Sequence, residues 1–157
     1  FIPRKKKIEY IKQFFKKINL VDIARLSKKN KPAVNDMIQK ELYKPDLKDL
    51  YFLYQLIVLN KRITVLEIGC GWSSIIIRRA LAENKKKFKK KVKDLRRQNH
   101  FKCVSIDNEK KWISNTKKIL KNLPENLIDE ALKSITSWNN YKLTPLIKLN
   151  KLNKKNL

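Results

Sequence analysis

Arg62-Ile63-Thr64-Val65-Leu66-Glu67-Ile68 is a short, β-branched, mostly apolar run, and it ends at Gly69-Cys70-Gly71. The run predicts a strand, and one of this length and character suits a parallel sheet covered on both faces. The chain has only two glycines, and both stand at this strand end. A glycine pair there lets the backbone turn sharply and lets a ligand approach with no Cβ in the way. Ser73 and Ser74 follow as helix N-cap candidates, and Ile75 to Ala82 reads as a helix buried on most sides.

Downstream, Phe88, Val92 and Leu95 carry the apolar spacing on through a stretch crowded with lysine, Lys85 to Lys93. One long basic helix to about Arg97 fits this pattern, and so does a helix followed by a charged insertion. Phe101 to Ile106 predicts a second strand, closed by Asp107, and Asp107 or Asn108 is placed to cap the next helix. That helix shows a face of Trp112, Ile113, Thr116, Ile119, Leu120 and Leu123, and Pro124 ends it. Leu127 to Ile135 is weakly helical, and Ser134 to Leu143 could hold a third strand. Upstream, helical spacing runs over residues 4–18, Val21 to Leu26, from Lys31-Pro32 to Leu42, and Leu47 to Val58.

This order predicts an α/β fold with a doubly wound parallel sheet, incomplete at two or three strands. Residues 1–60 form a helical N-terminal segment or lid, residues 61–147 a partial sheet domain with a Lys-rich extension at 85–98, and residues 148–157 a basic tail.

Strand, Gly-x-Gly, helix, strand and acid together describe a nucleoside site at the carboxyl ends of parallel strands. The helix aims its N-terminal amides at the loop, and an acid on the next strand can accept ribose hydroxyls. A dinucleotide fingerprint requires a third glycine where Ser74 stands, and Glu67 would repel a pyrophosphate. An anion there suits a ligand that carries positive charge.

Val65-Leu66-Glu67-Ile68-Gly69-Cys70-Gly71-Trp72-Ser73 resembles the first motif of class I S-adenosylmethionine-dependent methyltransferases. Cys103 to Asp107 resembles the same family's second strand with its ribose-binding acid. The resemblance covers about residues 47–123. It implies a Rossmann-like fold and S-adenosylmethionine as cofactor, exchanged for S-adenosylhomocysteine after transfer. It implies that Glu67 organises the methionine end, that Gly69, Cys70, Gly71 and Ser73 form the loop beneath it, that Asp107 holds the ribose, and that Asn108 lies near the adenine. Methyl transfer of this kind proceeds by direct displacement and requires no enzyme nucleophile. The acid-to-acid spacing is long for the family, 40 residues from Glu67 to Asp107, and the Lys-rich stretch accounts for the excess. No Asn-Pro-Pro-Tyr or Asp-Pro-Pro-Tyr motif marks the methyl acceptor.

The chain has 157 residues, with 39 Lys+Arg against 14 Asp+Glu, for a net charge of +25. Such a charge points to a polyanion, either nucleic acid or an anionic membrane surface. A-and-T-rich coding explains it as well: 32 Lys, 18 Ile and 15 Asn stand beside only 7 Arg. A basic nucleic-acid-binding module is therefore the alternative function, using residues 20–42, where Ile23-Ala24, Val34 and Met37 have helix-turn-helix spacing, and the Lys-rich face. A truncated, non-catalytic methyltransferase-like remnant is a third reading. Cys70 and Cys103 form no metal-ligand spacing, so no metal is expected. They read as reduced thiols of a cytoplasmic protein. No apolar run reaches the length of a transmembrane helix. His100, Trp72 and Trp112 read as structural.

Overall fold

The computed structural model describes residues 1–27, 44–96, 99–121, 123 and 125–137. β1 (Thr64–Ile68) and β2 (Lys102–Asp107) run parallel, with Thr64 opposite Lys102 and Ile68 opposite Ile106. The Gly69 N–H donates to Ile106 O at 2.8 Å and carries the ladder one residue further. β3 (Ile135–Ser137) pairs in parallel on the other side of β2, with Ser105 opposite Ile135. The sheet is thus three parallel strands in the order β1-β2-β3. Parallel neighbours need crossovers, and helices provide them. α4 (Trp72–Phe88) joins β1 to β2, while α5 (Lys110–Leu120) and α6 (Glu125–Lys133) join β2 to β3. The protein is α/β, and its layout is compatible with an incomplete Rossmann-like sheet.

Ahead of the sheet lie α1 (Ile8–Lys17), α2 (Val21–Leu26) and α3 (Leu47–Leu59). α1 starts at Ile8 and not at residue 4. Arg4 to Lys7 are four consecutive cations, and cations are disfavoured at the positive end of the helix dipole. Lys16 and Lys17 fall in the last turn, where the dipole welcomes them. α3 is capped by Asp46, whose carboxylate accepts the N–H groups of Lys48 at 2.8 Å and Asp49 at 3.3 Å. Tyr51, Tyr54 and Ile57 of α3 and Ile75, Ile76 and Leu81 of α4 are all buried in one core, shared with Ile11 and Phe15 of α1. The N-terminal helices therefore pack into the same core as the sheet's helices. The helix expected from Lys31-Pro32 to Leu42, the Val34 and Met37 part of the helix-turn-helix pattern, and the tail 148–157 lie outside the described residues.

Three further features differ from the sequence reading. α4 is longer than Ile75 to Ala82 and shorter than a helix to Arg97. It ends at Phe88 because successive lysines repel, and turns follow through Arg96. Val92 folds back into the core, its N–H on Phe88 O at 3.1 Å. α5 begins at Lys110 behind Glu109, so neither Asp107 nor Asn108 is its N-cap. The sheet is not covered on both faces along β1. Val65 and Glu67 face α4, whereas Leu66 is 58% and Ile68 75% exposed, because both crossovers place their helices on one side.

Candidate functional site

The chain leaves β1 through Gly69, whose φ of +81° lies in the left-handed region that favours glycine. Gly71 is the N-cap of α4. A Cβ built on either glycine would meet no atom within 4 Å, so the ground above the loop is open. Asp107 closes the adjacent strand and ties the two strand ends together. Its Oδ2 accepts the Cys70 N–H at 2.9 Å, and its Oδ1 accepts the Glu109 N–H at 2.9 Å. A carboxylate offers about four lone-pair directions, and the Cys70 thiol also hydrogen-bonds to Asp107, so part of that capacity remains for a further donor. Asn108 follows directly and is exposed. Gly69, Cys70, Gly71, Asp107 and Asn108 therefore meet at the carboxyl ends of β1 and β2.

Glu67 belongs to the same strand end but is turned beneath α4. Its Oε1 accepts the Ser73 hydroxyl at 2.6 Å, and its Oε2 accepts the Ser74 hydroxyl at 2.7 Å. The Ser105 hydroxyl, opposite Glu67 in register, also donates to Oε2. Arg78 Nη1 stands 3.9 Å from Oε2, with both side chains only 7% exposed. The charge of Glu67 is thus met inside the protein. Oε1 has Ser73 alone as partner among the described residues, so it retains room for one more donor.

This arrangement explains why neither Ser73 nor Ser74 is the N-cap. Their hydroxyls are drawn to Glu67, and α4 starts earlier, at Trp72. Ser74 instead sits third in the helix and accepts the Gly71 N–H at 3.1 Å while donating to Glu67. It relays the carboxylate's position to the loop.

Arg78 is the principal residue that the sequence reading missed. Its Nη1 donates to Ser74 O at 3.0 Å and to Ser105 Oγ at 3.1 Å, and its Nη2 donates to Ser134 Oγ at 2.8 Å. One side chain thereby joins α4, β2 and the residue that precedes β3. A signal was present: Glu67 and Ser105 fall at inward positions of neighbouring strands, and a buried carboxylate needs a partner. Arg78 sits four residues after Ser74, directly after three isoleucines, where it faces the same way as Ser74.

Cys70 is half-buried, and burial pushes its thiol up to about 12. The Thr116 hydroxyl opposes that rise, and the carboxylates of Asp107 and Glu67 add to it. A thiol raised in this way holds its proton at neutral pH. Trp72 packs against the core, and His100 is half-buried beside Phe101, 6.4 Å between ring centroids. Among the described residues no group of His, Cys, Asp and Glu could hold a metal ion, and no helix is long and apolar enough to cross a membrane. No family model, no curated protein and no solved structure matches the chain.

Proposed function

We propose that the chain binds S-adenosylmethionine at the Gly69–Gly71 loop and serves as a methyltransferase or as the cofactor-binding half of one. The observation that carries this reading is the bond from the Cys70 N–H to Asp107 Oδ2. It brings a glycine loop with open ground above it and a carboxylate with spare acceptor capacity to one place, at the ends of two parallel strands. A cis-diol on adenosine needs an acceptor pair of that kind. Gly69 and Gly71 would admit the cofactor's backbone-hugging portion, and Asn108 would lie beside the base.

Glu67 is buried and balanced by Arg78, so the expectation that its charge repels a pyrophosphate is not carried by the structure. The reading against a dinucleotide rests on Ser74 standing where that fingerprint requires a third glycine. When bound, S-adenosylmethionine supplies an electrophilic methyl group. The protein's task is to hold and orient the cofactor. Glu67 acts from below: through Ser73 and Ser74 it fixes the first turn of α4. The methyl acceptor would have to reach the open side of the loop.

Competition binding tests the reading. S-adenosylhomocysteine should bind more tightly than NADH, and Asp107→Ala should weaken it by about tenfold or more, the loss of a charged hydrogen-bond acceptor. Equal binding in Asp107→Ala, with only the melting temperature lowered, would reduce Asp107 to a loop tie.

A further inference from the structure

A groove of about 520 Å³ opens where α1, α3 and α4 meet, and none of its lining residues belongs to the Gly69–Gly71 loop or to the sheet. Lys17, Arg79 and Lys87 bring cations to it, and among the described residues Glu83 is its one acid. Glu83 is already matched, 3.0 Å from Lys87 Nζ on the next turn. Arg79 Nε donates to Ile18 O at 3.2 Å. That bond fixes the guanidinium plane and leaves the two terminal amino groups, the fork that grips phosphate, without a bond to any described residue.

The remaining lining is aromatic and amide, with Ile18 and Val58 as its aliphatic members. Tyr10 is 49% exposed, and Lys6 Nζ stands 5.3 Å from its ring centroid. Tyr54 is locked edge-on against Phe14 at 4.9 Å. Burial pushes the Tyr54 hydroxyl up to about 12, with Glu83 adding and Arg79 opposing, so it stays a donor at working pH. Gln13 and Gln55 each supply a donor and an acceptor.

A phosphate fork, a second cation in Lys17, an exposed ring and two amides make a site for a nucleotide within a flexible strand. An acidic peptide would use the cations and leave the rings and amides idle. A lipid surface calls for a protruding apolar face that inserts, whereas the apolar residues here, Phe14, Ile18 and Val58, line a recessed groove beside four charged side chains. A volume of about 520 Å³ matches a site for a nucleotide-sized ligand. We propose that the α1–α3–α4 groove docks single-stranded nucleic acid, with Arg79 and Lys17 on a phosphate and Tyr10 against a base. This site is separate from the cofactor loop and does not rest on the cofactor reading. It also differs from a diffuse attraction to the net charge of +25, because its groups converge from three helices.

Anisotropy titrations of fluorescein-labelled oligouridylate and oligothymidylate against the whole chain test it, with the two probes separating RNA from DNA. At about 150 mM salt, Lys17→Glu, Arg79→Lys and Tyr10→Ala should each weaken binding about tenfold. The Tyr10→Ala loss should persist at about 500 mM salt, since stacking is not screened. Lys118→Glu, the same charge change on an exposed face of α5, should shift affinity less than about twofold. Equal losses in Lys17→Glu and Lys118→Glu would overturn the proposal in favour of diffuse charge. So would an unaffected Tyr10→Ala, or competition by polyglutamate or phosphatidylserine vesicles as strong as that by oligonucleotide. Circular dichroism of each variant confirms that the fold is intact.

Discussion

Replacing Arg78 by methionine removes a buried cation while keeping the length of the side chain. Three good hydrogen bonds go with it: to Ser74 O at 3.0 Å, Ser105 Oγ at 3.1 Å and Ser134 Oγ at 2.8 Å. Glu67 keeps its three serine donors but loses its countercharge, 3.9 Å away. Breaking one side of a buried pair costs about 3–5 kcal/mol, and Glu67→Gln should cost a similar amount by stranding the guanidinium. The double variant Glu67→Gln/Arg78→Met holds two neutral groups. It should be less destabilised than the two singles together by about 2 kcal/mol or more. Urea unfolding followed by far-ultraviolet circular dichroism measures all four proteins. With a slope of about 2 kcal/mol/M, each single variant should move the midpoint down by about 2 M. The wild-type midpoint should shift little from this pair when salt is raised, because buried charges are weakly screened. Additive single effects, to within about 0.5 kcal/mol, would refute the coupling between Glu67 and Arg78. An Arg78→Met variant within about 1 kcal/mol of wild type would refute the structural role of Arg78 altogether.

Asp107→Asn should cost about 1–2 kcal/mol, because it weakens the carboxylate's hold on the Cys70 and Glu109 N–H groups; chemical denaturation checks this. Asp46→Ala should cost about 1 kcal/mol through loss of the α3 cap, with little change in ligand binding, as thermal melts with and without S-adenosylhomocysteine would register. The Cys70 thiol is pushed up to about 12 from an ordinary value of 9.0, and the buried Cys103 thiol is also raised, in both cases chiefly by burial. A raised thiol binds its proton more tightly in the folded state. The stability this contributes is therefore intact below pH 9 and declines as pH rises from there toward 12. At pH 8 a disulfide reagent should accordingly react slowly with the native chain and release two equivalents promptly in guanidinium; fast native labelling would contradict the placement of both thiols.

The strand at Thr64–Ile68 was legible because its apolar, β-branched run stops at the chain's only glycines. The meeting of Gly69, Cys70 and Asp107 follows from the same pattern, since parallel strands in register bring their carboxyl ends together. What the sequence concealed depends on long-range partners. The orientation of Glu67 is settled by Ser105, 38 residues later, and by Arg78 on a helix whose exposed and buried sides are hard to tell apart. Ser73 and Ser74 look like caps in isolation, yet a carboxylate below them takes both hydroxyls. Leu66 and Ile68 are as apolar as Val65, so composition alone does not reveal that their side of β1 is uncovered. The groove of α1, α3 and α4 is assembled from residues some 70 positions apart, between Tyr10 and Glu83, and no local motif marks it.

Calorimetric titration of S-adenosylhomocysteine into the purified chain, with Gly71→Arg as control, bears most directly on the cofactor loop. A side chain at residue 71 meets no atom within 4 Å at its Cβ, and the φ of 171° is ordinary extended backbone, so the control should fold while its side chain fills the ground above the loop. One saturable site of micromolar affinity in the wild type, absent from Gly71→Arg with an unchanged circular dichroism spectrum, is the predicted result. A folded chain that binds no S-adenosylhomocysteine, or that binds it equally well with arginine at position 71, would contradict the loop's assignment as the cofactor site.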